Sequence, residues 1–172
     1  MKLDEAIRAA LEYEGGVHRT YQEAAERSTD PTGKRVFQTL CDEEMGHVRY
    51  LRERLDEWQT TGKVQVKKLE TSIPTRASID ASLQKLRQTV TPKPAMRQTP
   101  ELEFLQKALE VEIQASDFYR DMVSKLDGDG QRLFARFVEI EEGHKAIVQA
   151  EINAVSGLGY WFDTAEFNVE AG

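Results

Sequence analysis

Cysteine and histidine are scarce: the 172 residues include one cysteine, Cys41, and three histidines, His18, His47 and His144. A single cysteine can form neither an internal disulfide nor a four-thiolate zinc or iron site, so any metal must be held mainly by oxygen and nitrogen. Long apolar runs are missing as well. No window approaches the roughly eighteen apolar residues of a membrane helix, in keeping with a mean hydropathy of −0.57. Positive charge is in deficit, 23 Lys and Arg against 30 Asp and Glu for a formal net charge of −7. An acidic surface repels phosphate backbones and anionic headgroups, so neither nucleic acid nor a membrane is an expected partner. Met1 to Gly16 carries Asp4, Glu5, Glu12 and Glu14 with no apolar h-region, unlike a secretory signal. The expectation is a soluble, reduced, cytoplasmic protein of one domain.

Proline is sparse and well placed. The five prolines, Pro31, Pro74, Pro92, Pro94 and Pro100, leave two long tracts free of a residue that breaks helix interiors. Asp30-Pro31 and Thr99-Pro100 each read as an N-cap followed by proline at the first helical position. Gly62, then Gly128-Asp129-Gly130, then Ser156-Gly157-Leu158-Gly159 read as stops or turns. The spacing predicts four helices, about 2–28, 31–60, 100–127 and 130–155. Residues 61–99 read as a long crossover with an exposed basic cluster, Lys63, Lys67 and Lys68, and a short helix from Ile79 to Val90. The expected fold is all-α: an antiparallel four-helix bundle over 1–157 with its crossover between the second and third helices, then an aromatic tail, 158–172.

Apolar residues recur at helical spacing in every long segment: Leu3, Ile7, Leu11, Val17 and Tyr21; Phe37, Leu40, Val48, Leu51 and Leu55; Leu102, Leu105, Leu109, Tyr119 and Met122; Phe134, Phe137, Val148, Ile152 and Val155. Each stripe is interrupted at its centre, by Glu14, by Glu44 with His47, by Glu112, and by Glu141 with His144. The two halves repeat: Glu14 and Tyr21 recur as Glu112 and Tyr119 at an offset of 98, and Phe37, Glu44 and His47 as Phe134, Glu141 and His144 at 97. At about 1.5 Å per residue, Glu14 and Glu44 lie about 21 Å and about 20 Å from the turn that joins their helices. Glu112 and Glu141 lie about 22 Å and about 17 Å from theirs, so four carboxylates and two imidazoles converge on one layer of the core.

Four ionised glutamates buried together are prohibitive without compensation. Either they are protonated and hydrogen-bonded, or cations occupy the layer; two divalent ions would supply a charge of +4 against four carboxylates. A histidine three residues after a glutamate shares its helix face, so each Glu-x-x-His pair can offer an oxygen and a nitrogen to one ion. Such carboxylate-rich sites suit iron or manganese better than zinc or copper.

Glu14, Glu44-Met45-Gly46-His47, Glu112 and Glu141-Glu142-Gly143-His144 resemble the six-ligand signature of the ferritin-like di-iron carboxylate proteins. With Tyr21 and Tyr119 added, the pattern most resembles the rubrerythrin branch, over the four helices, about 110 residues. The resemblance implies two iron ions, or manganese or a mixed pair, with Glu44 and Glu141 bridging or chelating, Glu14 and Glu112 as terminal carboxylates, and His47 and His144 as terminal nitrogens. Tyr21 and Tyr119 would stand behind these ligands; by residue type alone they read equally well as core aromatics. Rubrerythrins carry a four-cysteine rubredoxin domain and an extra glutamate one turn after the third-helix ligand; here Cys41 is the sole cysteine and that position is Ala115. The implied activity is reduction of peroxide or O2 with electrons from an external donor protein. Ferroxidase or iron storage is the alternative, and a metal-free interaction bundle a third.

Other features point to packing. His18 lies one turn after Glu14 and reads either as a hydrogen-bonding neighbour of the site or as a core histidine; Cys41 reads as a small buried hydrophobe. Gly46 and Gly143, each just before a histidine, cost about 1 kcal/mol of helix propensity apiece, which suggests close approach of a neighbouring segment or subunit. The tail aromatics Tyr160, Trp161, Phe162 and Phe167 are expected to pack on the bundle or on a second subunit, and a homodimer or larger homo-oligomer is expected.

Overall fold

A computed structural model describes residues 1–95 and 99–168. Residues 96–98 of the expected crossover and 169–172 of the expected tail lie outside the described residues. The described chain is an all-helical bundle with no strand: α1 (Leu3–Arg27), α2 (Pro31–Thr61), α3 (Arg76–Thr89), α4 (Pro100–Lys125), α5 (Gly128–Leu158), and a short 3-10 helix at Thr164–Asn168. None of its helices is long and apolar enough to cross a membrane.

The starts follow the capping chemistry. Asp30 accepts from the Thr32 and Gly33 amides, both at 2.9 Å, ahead of Pro31, and Thr99 accepts from the Leu102 amide at 3.3 Å ahead of Pro100, satisfying donors that a helix start leaves free. Gly62 and Gly159, each at φ 69°, close α2 and α5 in the left-handed conformation that glycine tolerates best. Four expected boundaries move. Helix α3 begins at Arg76 rather than Ile79, with Thr75 accepting from the Ser78 amide at 3.3 Å, and α4 ends at Lys125 rather than 127. The last helix starts at Gly128, because Leu126 and Asp127 complete the turn; Gly130 lies within its first turn, where an added Cβ would stand 3.2 Å from Leu3 Cδ1. At the other end it runs on through Ser156 and Gly157 to Leu158.

Helix α1 packs against α2, α4 against α5, and α1 against α4, while α3 lies on α5 and the 3-10 helix. The core between them is aromatic at its centre: Tyr119 stacks on Phe137 with centroids 4.8 Å apart and on Phe134 at 5.7 Å. Glu101, in the first turn of α4, accepts from the Thr29 amide at 2.8 Å and the Asp30 amide at 3.3 Å, so a buried carboxylate ties the α1–α2 turn to the start of α4.

The stretch from Thr61 to Arg76 straps the α2 and α5 side of the layer. Tyr50 Oη donates to Lys67 O at 2.7 Å and Arg136 donates to Leu69 O at 3.0 and 3.1 Å. Lys63, Lys67 and Lys68 are exposed, as a solvated run should be. The strap accounts for one of the paired glycines: a Cβ on Gly143 would sit 3.0 Å from Pro74 O, whereas one on Gly46 would meet only the tip of Arg49, at 4.0 Å. Within the chain, close approach therefore explains Gly143 and not Gly46.

The aromatic tail folds back on its own chain. Trp161 meets Phe37 edge-on at 5.5 Å over Gly33, where any Cβ would come within 2.9 Å of the indole. Phe162 and Phe167 are buried together at 6.1 Å, and Ser78 and Ser82 of α3 both donate to Phe167 O at 3.1 Å.

Candidate metal centre

The four interruptions of the apolar stripes meet. Glu14 from α1, Glu44 and His47 from α2, Glu112 from α4, and Glu141 and His144 from α5 are all buried, none more than 1 % exposed. Their atoms form two overlapping groups, Glu14, Glu44, His47 and Glu141, and Glu44, Glu112, Glu141 and His144; within each group one atom per residue lies within 4.8 Å of all the others. Glu44 and Glu141 belong to both groups. His47 Nδ1 lies 3.1 Å from Glu14 Oε2 and 3.2 Å from Glu44 Oε2; His144 Nδ1 lies 2.7 Å from Glu44 Oε1 and 3.5 Å from Glu112 Oε1. The imidazoles stack 5.3 Å apart.

The two tyrosines cross between helices. Tyr21 on α1 donates to Glu112 on α4, and Tyr119 on α4 donates to Glu14 on α1. Burial pushes both phenols well above their usual range, with Glu112 and Glu14 respectively the next cause, so both stay protonated donors.

Without metal, protons offset the charge. Burial, then Glu44, pushes Glu14 up to about 8, and burial with Glu112, Glu14 and Glu44 holds Glu141 well above the carboxylate range. Burial alone would lower the imidazoles, but Glu44 and Glu14 raise His47 to about 10, and Glu44 and Glu112 lift His144 well above its usual value. Burial likewise opposes ionisation of Glu44, yet His47 and His144 outweigh it and hold Glu44 ionised. That proton network leaves much unsatisfied. Both oxygens of Glu44 and of Glu141, Glu112 Oε2, His47 Nε2 and both His144 nitrogens have no hydrogen-bond partner among the described residues; the short His144 to Glu44 contact is not aligned as a hydrogen bond. Buried polar atoms are rarely left bare, and this oxygen-rich donor set with one imidazole per group fits a pair of hard or borderline divalent ions.

Sequence reasoning missed Glu43. It is half-buried beside the layer, with Oε2 3.7 Å from His144 Nε2, and accepts from Thr71 Oγ1 at 2.6 Å and from the Ser72 amide and hydroxyl at 2.8 and 2.7 Å. Burial would raise it, but His144, Thr71 and Ser72 hold it down at about 2. Its repeat counterpart is Ile140, so the internal duplication gave no signal for it. His18 stands apart, half-buried and outside both groups. Cys41 is buried, its thiol pushed up by burial and Asp42. A cleft of about 470 Å³ opens between α1 and α4, lined in part by Val17, one turn from Glu14, and by Val111, next to Glu112.

Comparison with known families singles out the first half of the layer. Residues 1–55 match the rubrerythrin family model. The matched stretch carries Glu14, Tyr21, Glu44 and His47, and the other half of the cluster, on α4 and α5, lies outside it. No curated protein and no solved structure matches the chain. Rubrerythrin belongs to the ferritin-like superfamily and implies metal binding, typically of iron; the buried Glu and His groups could hold such ions.

Proposed function

We propose that the chain is a di-iron redox protein of ferritin-like build, an antiparallel four-helix bundle over 1–157, in which Glu14, Glu44, His47, Glu112, Glu141 and His144 hold two iron ions. The observation that carries this reading is the pair of overlapping, largely unpartnered ligand groups. Shared membership suits Glu44 and Glu141 to bridging; Glu14 with His47, and Glu112 with His144, each belong to one group and suit terminal positions. When bound, an iron pair supplies the electrons that reduce peroxide or O2 to water and is recharged by an external donor protein.

The chain's own contribution is to bind, orient and shield. Burial of all six residues excludes bulk water and strengthens every charge interaction in the layer. Tyr21 and Tyr119 orient the terminal carboxylates of the opposite helix through O–H donors that remain protonated across the physiological range. His47 and His144 would release their protons to solvent as metal binds, and are fixed in place by the packing of Phe137, 5.4 Å from the His47 ring, and by the stacked imidazole pair.

A second reading, oxidation of ferrous ion for storage or delivery, has one observation in its favour: Ala115, buried one turn after Glu112, offers no seventh carboxylate. Steady-state assays separate the two. Catalytic consumption of hydrogen peroxide by the iron-loaded protein with an external reductant supports the redox enzyme; a single turnover with the iron retained supports iron handling and overturns it.

A further inference from the structure

The internal duplication makes the two halves of the layer look equivalent, yet their surroundings differ. Outward of His144, Glu43 Oε2 stands 3.7 Å from Nε2, and both oxygens of Glu43 are anchored to the strap through Thr71 and Ser72. Neither Nε2 has a hydrogen-bond partner among the described residues, but no carboxylate there comes within 4.0 Å of His47 Nε2, whose ring meets Glu14, Glu44 and Glu141 through Nδ1 alone. Glu43, His47 and His144 can each bring one atom within 4.8 Å of the other two, but only His144 has a ring nitrogen within 4.0 Å of the Glu43 carboxylate. The duplication explains the difference: the residue just before the glutamate of the Glu-x-x-His pair is Glu43 in one half and Ile140 in the other.

We infer that Glu43 is a positioning residue for His144 and makes the two metal positions unequal; this rests on the proposed metal centre. His144 Nδ1 faces Glu44 and Glu112 inside the layer, so when Nδ1 ligates a metal, the ring proton resides on Nε2. A buried N–H needs an acceptor, and a shift of roughly 0.7 Å would bring Glu43 Oε2 within hydrogen-bonding distance. A carboxylate on the outer nitrogen fixes the tautomer and orients the ring, and loss of such a partner typically weakens metal affinity about 10- to 100-fold. The strap holds Glu43 in place, so residues 71 and 72, which hydrogen-bond to Glu43 and to none of the six proposed ligands, belong to the tuning of one position.

Anaerobic titration of the metal-free protein with Co(II), followed by calorimetry and by the visible spectrum, tests this. Wild type should bind two ions in two steps of unequal affinity. Glu43→Gln is the sharper variant: its carbonyl oxygen can keep the Ser72 bonds, which turns the amide N–H toward the His144 N–H, two donors face to face. It should weaken one step at least tenfold, leave the other unchanged and alter the spectrum of one ion only. Glu43→Ala, with helicity checked by circular dichroism, should do the same to the same step. Equal weakening of both steps, no change in either, or a third ion lost with Glu43 would overturn the inference. If wild type binds no metal at all, the metal centre itself fails.

Discussion

Tyr21 and Tyr119 show how much a single hydroxyl does in this layer. Each is fully buried and each is a donor to one carboxylate of the opposite helix. Tyr119→Phe keeps the ring that stacks on Phe134 and Phe137 but strips Glu14 of its donor, leaving a buried acceptor bare. The metal-free variant should lose about 1–3 kcal/mol of stability in urea unfolding; unchanged stability would mean the hydroxyl is not the partner that matters. The paired glycines make a second residue-level contrast. Alanine at Gly46 meets open space, so Gly46→Ala should gain up to about 1 kcal/mol from helix propensity. Gly143→Ala must push aside the Pro74 carbonyl 3.0 Å away, and overpacking of about 1–3 kcal/mol outweighs the propensity gain. Thermal melts should move in opposite directions. Equal upward shifts would show that the strap yields.

Between elements, buried carboxylates act as fasteners. Glu151 on α5 is fully buried and accepts from the Phe162 amide at 3.1 Å, locking the tail to the helix. Burial drives this carboxyl well above its usual range, with Glu166, Asp163 and Asp30 adding to the rise against the Phe162 bond. A carboxyl raised in the folded state binds its proton more tightly there than when unfolded, so stability falls as pH climbs from the unfolded value toward the folded one. Glu151→Gln keeps the acceptor and removes the titration. Its stability advantage over wild type should be larger at pH 8 than at pH 5 in urea unfolding; a constant difference would contradict a protonated Glu151. Neither Glu151 nor Glu101 was legible in the sequence. Glu101 shares the first turn of its helix with Glu103, where acidic residues are common, and Glu151 stands alone in the otherwise uncharged run 146–155; the burial of both is decided by segments remote in sequence, the α1–α2 turn and the tail. Glu43 escaped notice for the same reason: its role depends on the path of residues 61–75, where no periodicity exists to read. The helices were legible, because Asp30-Pro31, Thr99-Pro100 and the apolar stripes each carry a local physical cause. Their ends drifted at 128–130 and 156–158, where glycine permits a helix as well as a turn.

For the whole molecule, the layer is a balance of charges that either protons or metal ions can strike. Duplication made its composition visible in advance, since Glu14, Glu44 and His47 recur as Glu112, Glu141 and His144, and the structure brings all six together. With Glu14 at about 8 and His47 at about 10, both hold protons at neutral pH that ligation must displace. Metal affinity should therefore rise with pH, and loading should release protons to solution. Titration of the metal-free protein in weak buffer with an indicator dye should show more ions bound at a given free concentration at pH 8 than at pH 6; pH-independent loading would contradict the proton-filled layer. The most direct test of the centre is anaerobic addition of ferrous iron to the metal-free protein, with bound iron counted after desalting. About two ions per chain in wild type, and loss of loading in Glu44→Ala with helicity retained, is the expected result. No retained iron, or loading unaffected by Glu44→Ala, would contradict the assignment of this cluster as the metal centre.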